Sequence, residues 1–289
     1  MYPRPFAYIR AESVEHAVTA LASQGAEAQI LAGGASIIPL MKIRMRSPKM
    51  LVDIGDLAAE LQFIDVVDGT VRVGALVKHA DAMVHPAFRA QPLLAKVAAV
   101  IADVQVRNMG TIVGGICAVE PTGDWIPALI ALGGSVVARS PEGEREITVD
   151  DLIVGPFTTS LRPDELVTEV RFPAKSARSG AAHEKLTIRA NAGIVNCTVA
   201  VTVDDHGVIT AAGIAIGALE SRPFRAVSAE RALVGTRALP EELEQAALMA
   251  VAGATPMNDS RGDSEFRRAA AATLLGRATA AAYEEAMGR

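Results

Sequence analysis

The stretch Val106–Trp125, VRNMGTIVGGICAVEPTGDW, decides how the rest of the chain is read. Its glycines disfavour a helix and its apolar content excludes a surface loop, so irregular turn structure is predicted. It opens with Arg107 and Asn108, passes through Gly110, Thr111, Gly114 and Gly115, and ends in the turn Pro121-Thr122-Gly123-Asp124. Glycine lets a backbone approach a ligand closely and leaves its N–H groups free, as a diphosphate requires. A second run of this kind, Leu31-Ala32-Gly33-Gly34-Ala35-Ser36, lies near the amino end. The reading is that the two runs hold one dinucleotide between them.

Working outward, Tyr8 to Arg10 is a strand candidate, and Ser13 caps a helix whose inner face is Val14, Ala17, Val18 and Leu21. Gln29 to Ala32 is a buried strand running into Gly33-Gly34, and Met50 to Ile54 is the next. Asp68-Gly69 joins a hairpin, Ala80 starts a helix, and another helix spans Pro92 to Ile101. Trp125 to Leu132 is an apolar helix stopped by Gly133, and Ser135 to Arg139 pairs with Arg145 to Val149. Leu166 to Phe172 is a strand. Pro173 to Ala182, small and polar, is the predicted linker.

Beyond it, Ile194 to Val203 and Val208 to Gly217 form a hairpin around Asp204-Asp205-His206-Gly207. Two helices follow. One starts at Pro240; the other runs from Ser264 to about Met287 with Phe266, Ala270, Leu274 and Ala278 as its inner stripe.

A chain of 289 residues with a net charge of −5 and no basic block argues against nucleic acid as a partner. No secretory signal opens the sequence and no run is long and apolar enough for a membrane span, so a cytoplasmic protein is expected. Cys117 and Cys197 form no CxxC pair and cannot alone hold zinc or an iron–sulfur cluster. The five histidines, His16, His79, His85, His183 and His206, are scattered, so no metal site is assigned. GxGxxG and the P-loop pattern are both absent.

Asp124 has two compatible roles, as the cap of the following helix or as an acceptor for the hydroxyls of a ribose or ribityl chain. Arg107 and Asn108 are either cofactor ligands or loop braces. Lys185 and Arg189 flank a strand and face either the domain interface or solvent. From residues alone the chain is an α+β protein with a diphosphate-cofactor cleft, and no reaction follows from spacing.

Several separated motifs nonetheless resemble a known family in the right order. LAGGASIIPLMKIRMRSPKMLVDI, VGALVKHADA, ADVQVRNMGTIVGGICAVEPTGDWIPALIAL, PDELVTEVRFP, HEKLTIRANAGIVNCTVAV and DSRGDSEFRRAAAATLLGRA resemble the FAD-binding medium subunit of the molybdenum hydroxylases. That family includes carbon monoxide dehydrogenase and the xanthine dehydrogenase family. The resemblance implies a vanillyl-alcohol-oxidase (PCMH-type) fold, with a flavin domain of two α/β subdomains over residues 1–175. A C-terminal domain over 181–287 would hold a three-stranded sheet and helices.

By motif match, Ala32, Gly33, Gly34, Ala35 and Ser36, with Thr111, Ile112, Gly114 and Gly115, would line the FAD diphosphate. Asp124 would bond the ribityl chain, Leu166 and Val167 would run beside the isoalloxazine, and Lys185 would approach it from the C-terminal side. Ile194 and the loop before it would help cover the ring. No side chain need act as general acid or base.

The resemblance further implies an electron-transfer role. Electrons from a molybdenum cofactor on a large subunit would pass through [2Fe–2S] clusters on a small subunit to this FAD. From there they would reach quinone or NAD, in a dimer of heterotrimers. Two departures stand out. Val113 occupies a position where the family has glycine, with Gly115 where it has a polar residue, and the loop Ala190–Gly193 is small where some members carry an aromatic. Two other readings are a stand-alone flavin oxidoreductase of the same fold, and a scaffold subunit that has lost its flavin.

Overall fold

The structure, a computed structural model, describes residues 2–188 and 193–288. Arg189 and the loop residues Ala190 to Ala192 lie outside the described residues.

The amino-terminal part contains two sheets. A three-stranded parallel sheet has Met50–Asp53 at its centre, between Ala7–Arg10 and Ala28–Leu31. Helix Val14–Gln24 covers it. The Ser13 hydroxyl caps that helix by accepting from the His16 N–H at 3.0 Å, and Gly25 ends it at φ +57°. A five-stranded antiparallel sheet follows, in the order Ile64–Val67, Thr70–Gly74, Leu166–Pro173, Ser135–Ser140, Gly143–Thr148. The tight turn at Asp68 (φ +48°) and Gly69 (φ +72°) has positive φ at both central residues, which suits the twist of a two-residue hairpin.

The third sheet is antiparallel: Ser179–Thr187, Gly193–Val203, Ile209–Gly217 and Phe224–Arg225. It has four strands rather than the three expected, because Phe224 and Arg225 pair with Ile216 and Ala215. The predicted linker is corrected at the same point. Ser179 onward is the sheet's edge strand, and the last helix packs on Gly180 closely enough that a side chain there would overlap the Ala282 carbonyl. Small residues between Ser179 and Ala182 therefore mark a close helix-on-strand approach. Lys175, in the short connection, donates to Glu285 of that helix at 2.5 Å.

Helix Ser264–Ala286 buries Ala271, Leu274, Leu275, Ala278 and Ala282 against this sheet. The expected stripe is off by one position at its start, where Phe266 is 48% exposed and Arg267 is fully buried. The Arg267 guanidinium donates to the carbonyls of Ile194, Gly262 and Ala218 and to the Asp259 carboxylate at 2.7 Å. Four acceptors converging on one side chain compensate its desolvation, which a hydrophobicity pattern cannot register. A helix at Val227–Leu233 joins the two that were expected.

Helix Trp125–Leu132 joins the halves. Every residue from Trp125 to Ala131 is buried, because one face meets the Leu166–Pro173 strand and another the Ile209–Gly217 strand. Gly213 and Gly217 admit it, since side chains there would strike Ala131 and Pro127. The third sheet is thus covered on both faces, which accounts for the nearly unbroken buried run along Gly193–Val203.

Candidate functional site

A cleft of ≈ 880 Å³ opens between the parallel sheet, the five-stranded sheet and the edge of the third sheet. Ala32, Gly33, Gly34, Ala35, Ser36, Thr111, Gly114, Gly115, Asp124, Leu166, Val167 and Lys185 all line it. Ile112 does not. Its side chain lies in the core and its N–H donates to the Val77 carbonyl at 3.0 Å, so its place among the expected lining residues is corrected.

The first glycine run follows the carboxyl end of the parallel strand Ala28–Leu31, the end where ligands collect in such sheets. Gly34 sits at φ +72°, in the left-handed region. Among the described residues, no acceptor bonds the N–H groups of Gly33, Gly34, Ala35 or Ser36. Four successive amides without protein partners form a concavity that suits an anion.

The second run differs from the expectation of irregular turns. Val104–Met109 and Ile112–Ala118 are both helices. Asp103 caps the first through the Val106 N–H at 2.8 Å. Thr111 caps the second, its hydroxyl accepting from the Gly114 N–H at 3.1 Å. The cap and the burial of Ile112, Val113 and Ile116 outweigh glycine's roughly 1 kcal/mol penalty per residue. The glycines are used for packing: a Cβ on Gly115 would sit 3.2 Å from the Trp125 ring. Arg107 is a brace, donating to the carbonyls of Ile101 at 2.7 Å and Ala102 at 3.0 Å. Asn108 likewise donates within its own helix, to Val104.

The two runs meet. A Cβ built on Gly33 would overlap the Met109 carbonyl oxygen and approach the Gly110 Cα, so only glycine allows this contact. Residues some eighty positions apart in sequence thus share one wall of the cleft.

At the other end stands Asp124, which precedes helix Trp125–Leu132 but does not cap it with its side chain. Its carboxylate is 3% exposed and accepts from Lys185 Nζ at 2.7 Å and from Asn196 Nδ2 at 2.9 Å. His183 Nε2 lies 3.4 Å away, and Lys185 also reaches the Val100 carbonyl at 3.2 Å. Lys185, Asn196 and His183 all come from the third sheet, so the interface reading of Lys185 holds. Asn196 leaves no signal in the sequence, because its partner Asp124 lies far away along the chain and no local pattern marks it.

His79 is equally silent in the sequence. The residue is 4% exposed; its ring stacks on Trp125 with centroids 5.9 Å apart and accepts from Trp125 Nε1 at Nδ1, 3.1 Å. Burial pushes its pKa down to about 4, with Asp124 opposing the shift and Arg107 adding to it. Cys117 lines the cleft, but burial pushes its thiol up to about 12, so it is no nucleophile at neutral pH. Among the described residues no three His, Cys, Asp or Glu side chains are grouped to hold a metal. The arrangement can grip a long anionic ligand through amides, with one buried ion pair beyond it.

Residues 4–175 match the family described as the FAD binding domain in molybdopterin dehydrogenase, and residues 185–282 match the carbon monoxide dehydrogenase flavoprotein C-terminal domain. The chain belongs to this FAD-binding family. It is similar to the 6-hydroxypseudooxynicotine dehydrogenase complex subunit alpha of Paenarthrobacter nicotinovorans, with 35% identity over 99% of this chain and 97% of that one. It is similar to the carbon monoxide dehydrogenase medium chain of Hydrogenophaga pseudoflava, with 34% identity over 98% and 99% of the two chains. Among solved structures, a chain of carbon monoxide dehydrogenase from Hydrogenophaga pseudoflava superposes with a TM-score of 0.94 at 36% identity, covering 98% of this chain and 99% of that one. A chain of quinoline 2-oxidoreductase from Pseudomonas putida 86 superposes with a TM-score of 0.92 at 28% identity, covering 99% of this chain and 100% of that one. The α+β flavoprotein fold and the family resemblance therefore both hold.

Proposed function

We propose that the chain is the FAD-carrying electron-transfer subunit of a molybdenum hydroxylase complex. The observation that carries this reading is the contact of the two glycine runs, Gly33 against Met109 and Gly110, at the head of a cleft with four amides that have no partner among the described residues. The fit to FAD is chemical. A diphosphate suits the amide concavity at Gly33 to Ser36, with the Thr111–Gly115 segment as the wall facing it, without needing a lysine. The buried pair Asp124–Lys185 lines the same cleft and would meet the ribityl chain, and Leu166 and Val167 would supply an apolar wall for the ring system.

When bound, FAD accepts and releases electrons singly or in pairs, a property of the cofactor and not of any side chain here. This chain's residues bind it, shield it from water and fix its surroundings. Lys185, held by Asp124 and the Val100 carbonyl, gives the cleft wall a fixed, net-neutral ion pair with hydrogen-bonding capacity beside the ligand. In this proposal the flavin held by this chain would receive electrons from a small [2Fe–2S] subunit paired with a large molybdenum subunit, and quinone or NAD would be the acceptor. The assembly would be a cytoplasmic dimer of heterotrimers. Among the described residues no helix is long and apolar enough to cross a membrane.

The substrate of the whole complex does not follow from this chain. Relatives at 35%, 34% and 32% identity carry names referring to 6-hydroxypseudooxynicotine, carbon monoxide and glyceraldehyde. Identity that varies so little across such different names points to a specificity written on another subunit.

The test is the purified chain's absorption spectrum and flavin content. Wild type is expected to bind equimolar FAD, and Gly114→Val to lose it. A colourless wild type that takes up no added FAD would overturn the proposal, and an undiminished flavin content in Gly114→Val would overturn the placement of the diphosphate.

A further inference from the structure

His79 is held on several sides, yet among the described residues one of its ring nitrogens has no hydrogen-bond partner. Its backbone N–H donates to the Gly110 carbonyl at 3.1 Å, and its ring lies against Trp125. Indole Nε1–H can only donate, so the 3.1 Å bond to Nδ1 makes that nitrogen an acceptor. In the neutral ring the proton therefore sits on Nε2.

Among the described residues, Nε2 has no hydrogen-bond partner, although the ring lines the cleft. The space around it is kept clear by glycine. A Cβ on Gly110 would lie 3.0 Å from Nε2, and one on Gly115 would lie 3.7 Å from Cε1. Gly110 is also the residue against which Gly33 packs, so Nε2–H is presented at the junction of the two runs. Nε2–H thus opens on the cleft, where a ligand oxygen can accept its hydrogen bond.

We propose that His79 is a cofactor-positioning residue whose Nε2–H donates to a diphosphate oxygen of the bound dinucleotide. The inference rests on the FAD reading above. The groups facing the ring are Asp124, at the start of the helix carrying Trp125, and Arg107, on the preceding helix. With the ring's pKa near 4, the donor is neutral across the physiological range. It thus joins the backbone amides as a set of neutral dipoles around a double negative charge.

The experiment measures FAD and ADP affinities of the full chain, for wild type, His79→Phe and His79→Gln. Phenylalanine keeps an aromatic ring against Trp125 but cannot donate, and its FAD and ADP affinities are expected to fall about ten- to hundredfold. Glutamine can accept from the indole and still donate, and it is expected to restore most of the loss. A 15N-histidine spectrum of wild type, which needs no variant to fold, is expected to show an Nε2-protonated tautomer that shifts on ADP addition. The inference is overturned by equal affinities in His79→Phe, by a loss for FAD but not ADP, or by an Nδ1-protonated ring. If wild type itself binds neither FAD nor ADP, the FAD reading falls as well, and the two failures are thereby distinguished.

Discussion

The two glycine runs are alike in composition and opposite in construction. Gly33 to Ser36 is open backbone, with amides that bond to nothing in the described protein and no side chain holding their orientation. Thr111 to Gly115 is the start of a helix whose early amides are already engaged: Ile112 with Val77, Gly114 with the Thr111 hydroxyl, Gly115 with the Thr111 carbonyl. The second run is also secured from beyond, where Asp124 is clamped by Lys185 and Asn196. One run offers donors; the other offers a rigid wall to set them against. A sequence rich in glycine can therefore signal either exposed donors or tight packing, and only the neighbours decide which.

The sharpest way to break this comparison is to add one methyl group to each run. At Gly33 the obstacle is the Met109 carbonyl, part of the backbone, so Gly33→Ala has to force the runs apart. A stability loss on the order of 5 kcal/mol with loss of FAD is expected, read by thermal unfolding and flavin content. At Gly114 the nearest obstacle is the Thr111 hydroxyl, 2.8 Å from the added Cβ, and that group can rotate. Equal effects at the two sites would dissolve the distinction.

Next in size is Lys185→Met, which strips the second run of its brace and leaves Asp124 buried without its cation. A loss of about 3–5 kcal/mol is expected in unfolding, partly recovered in the double variant that also carries Asp124→Asn. Additive effects would mean that the two side chains do not act as a pair.

A pH titration distinguishes the runs again, because only the second has an imidazole packed beneath it. The folded-state pKa of His79, about 4, lies below the usual 6.5, so between these values the unfolded chain binds more protons. Its contribution is fully present above about pH 6.5 and fades as pH falls towards 4, up to about 3 kcal/mol in all. The slope of stability against pH in that window should flatten in His79→Phe. An unchanged slope would show that some other group produces it.

The smallest effect is expected at the cap. Thr111→Ala should cost about 1 kcal/mol of stability and loosen the second run without displacing it. Thr111→Ser should restore most of the loss, since serine keeps the hydroxyl that meets the Gly114 N–H.

Much of the frame is legible in the sequence because its signals are local. The Ser13 cap, the positive-φ stops at Gly25 and Gly133, the Asp68-Gly69 turn and the 194–217 hairpin all depend on residues within a few positions of one another. Where the sequence misleads, the structure depends on distant partners. Glycine content argues against helix at 112–118, but a threonine cap and the Trp125 ring tip the balance the other way. Small residues after Ser179 suggest a linker, but they make room for a helix about a hundred residues further on. Arg267 takes the inward position expected of Phe266, because its four acceptors come from three separate segments. In the cleft, the glycines, Asp124 and Lys185 are visible as motifs. His79 and Asn196 are not, since each is defined by a partner brought near only by folding.

The clamp on Asp124 bears on how this chain is inherited. Its acid belongs to the first domain, while the ammonium and amide that satisfy it belong to the second. Recombination that exchanged either half alone would strand a naked charge inside the protein. The two halves are thus expected to travel through evolution as one unit, and a split gene should work only where both products are made together.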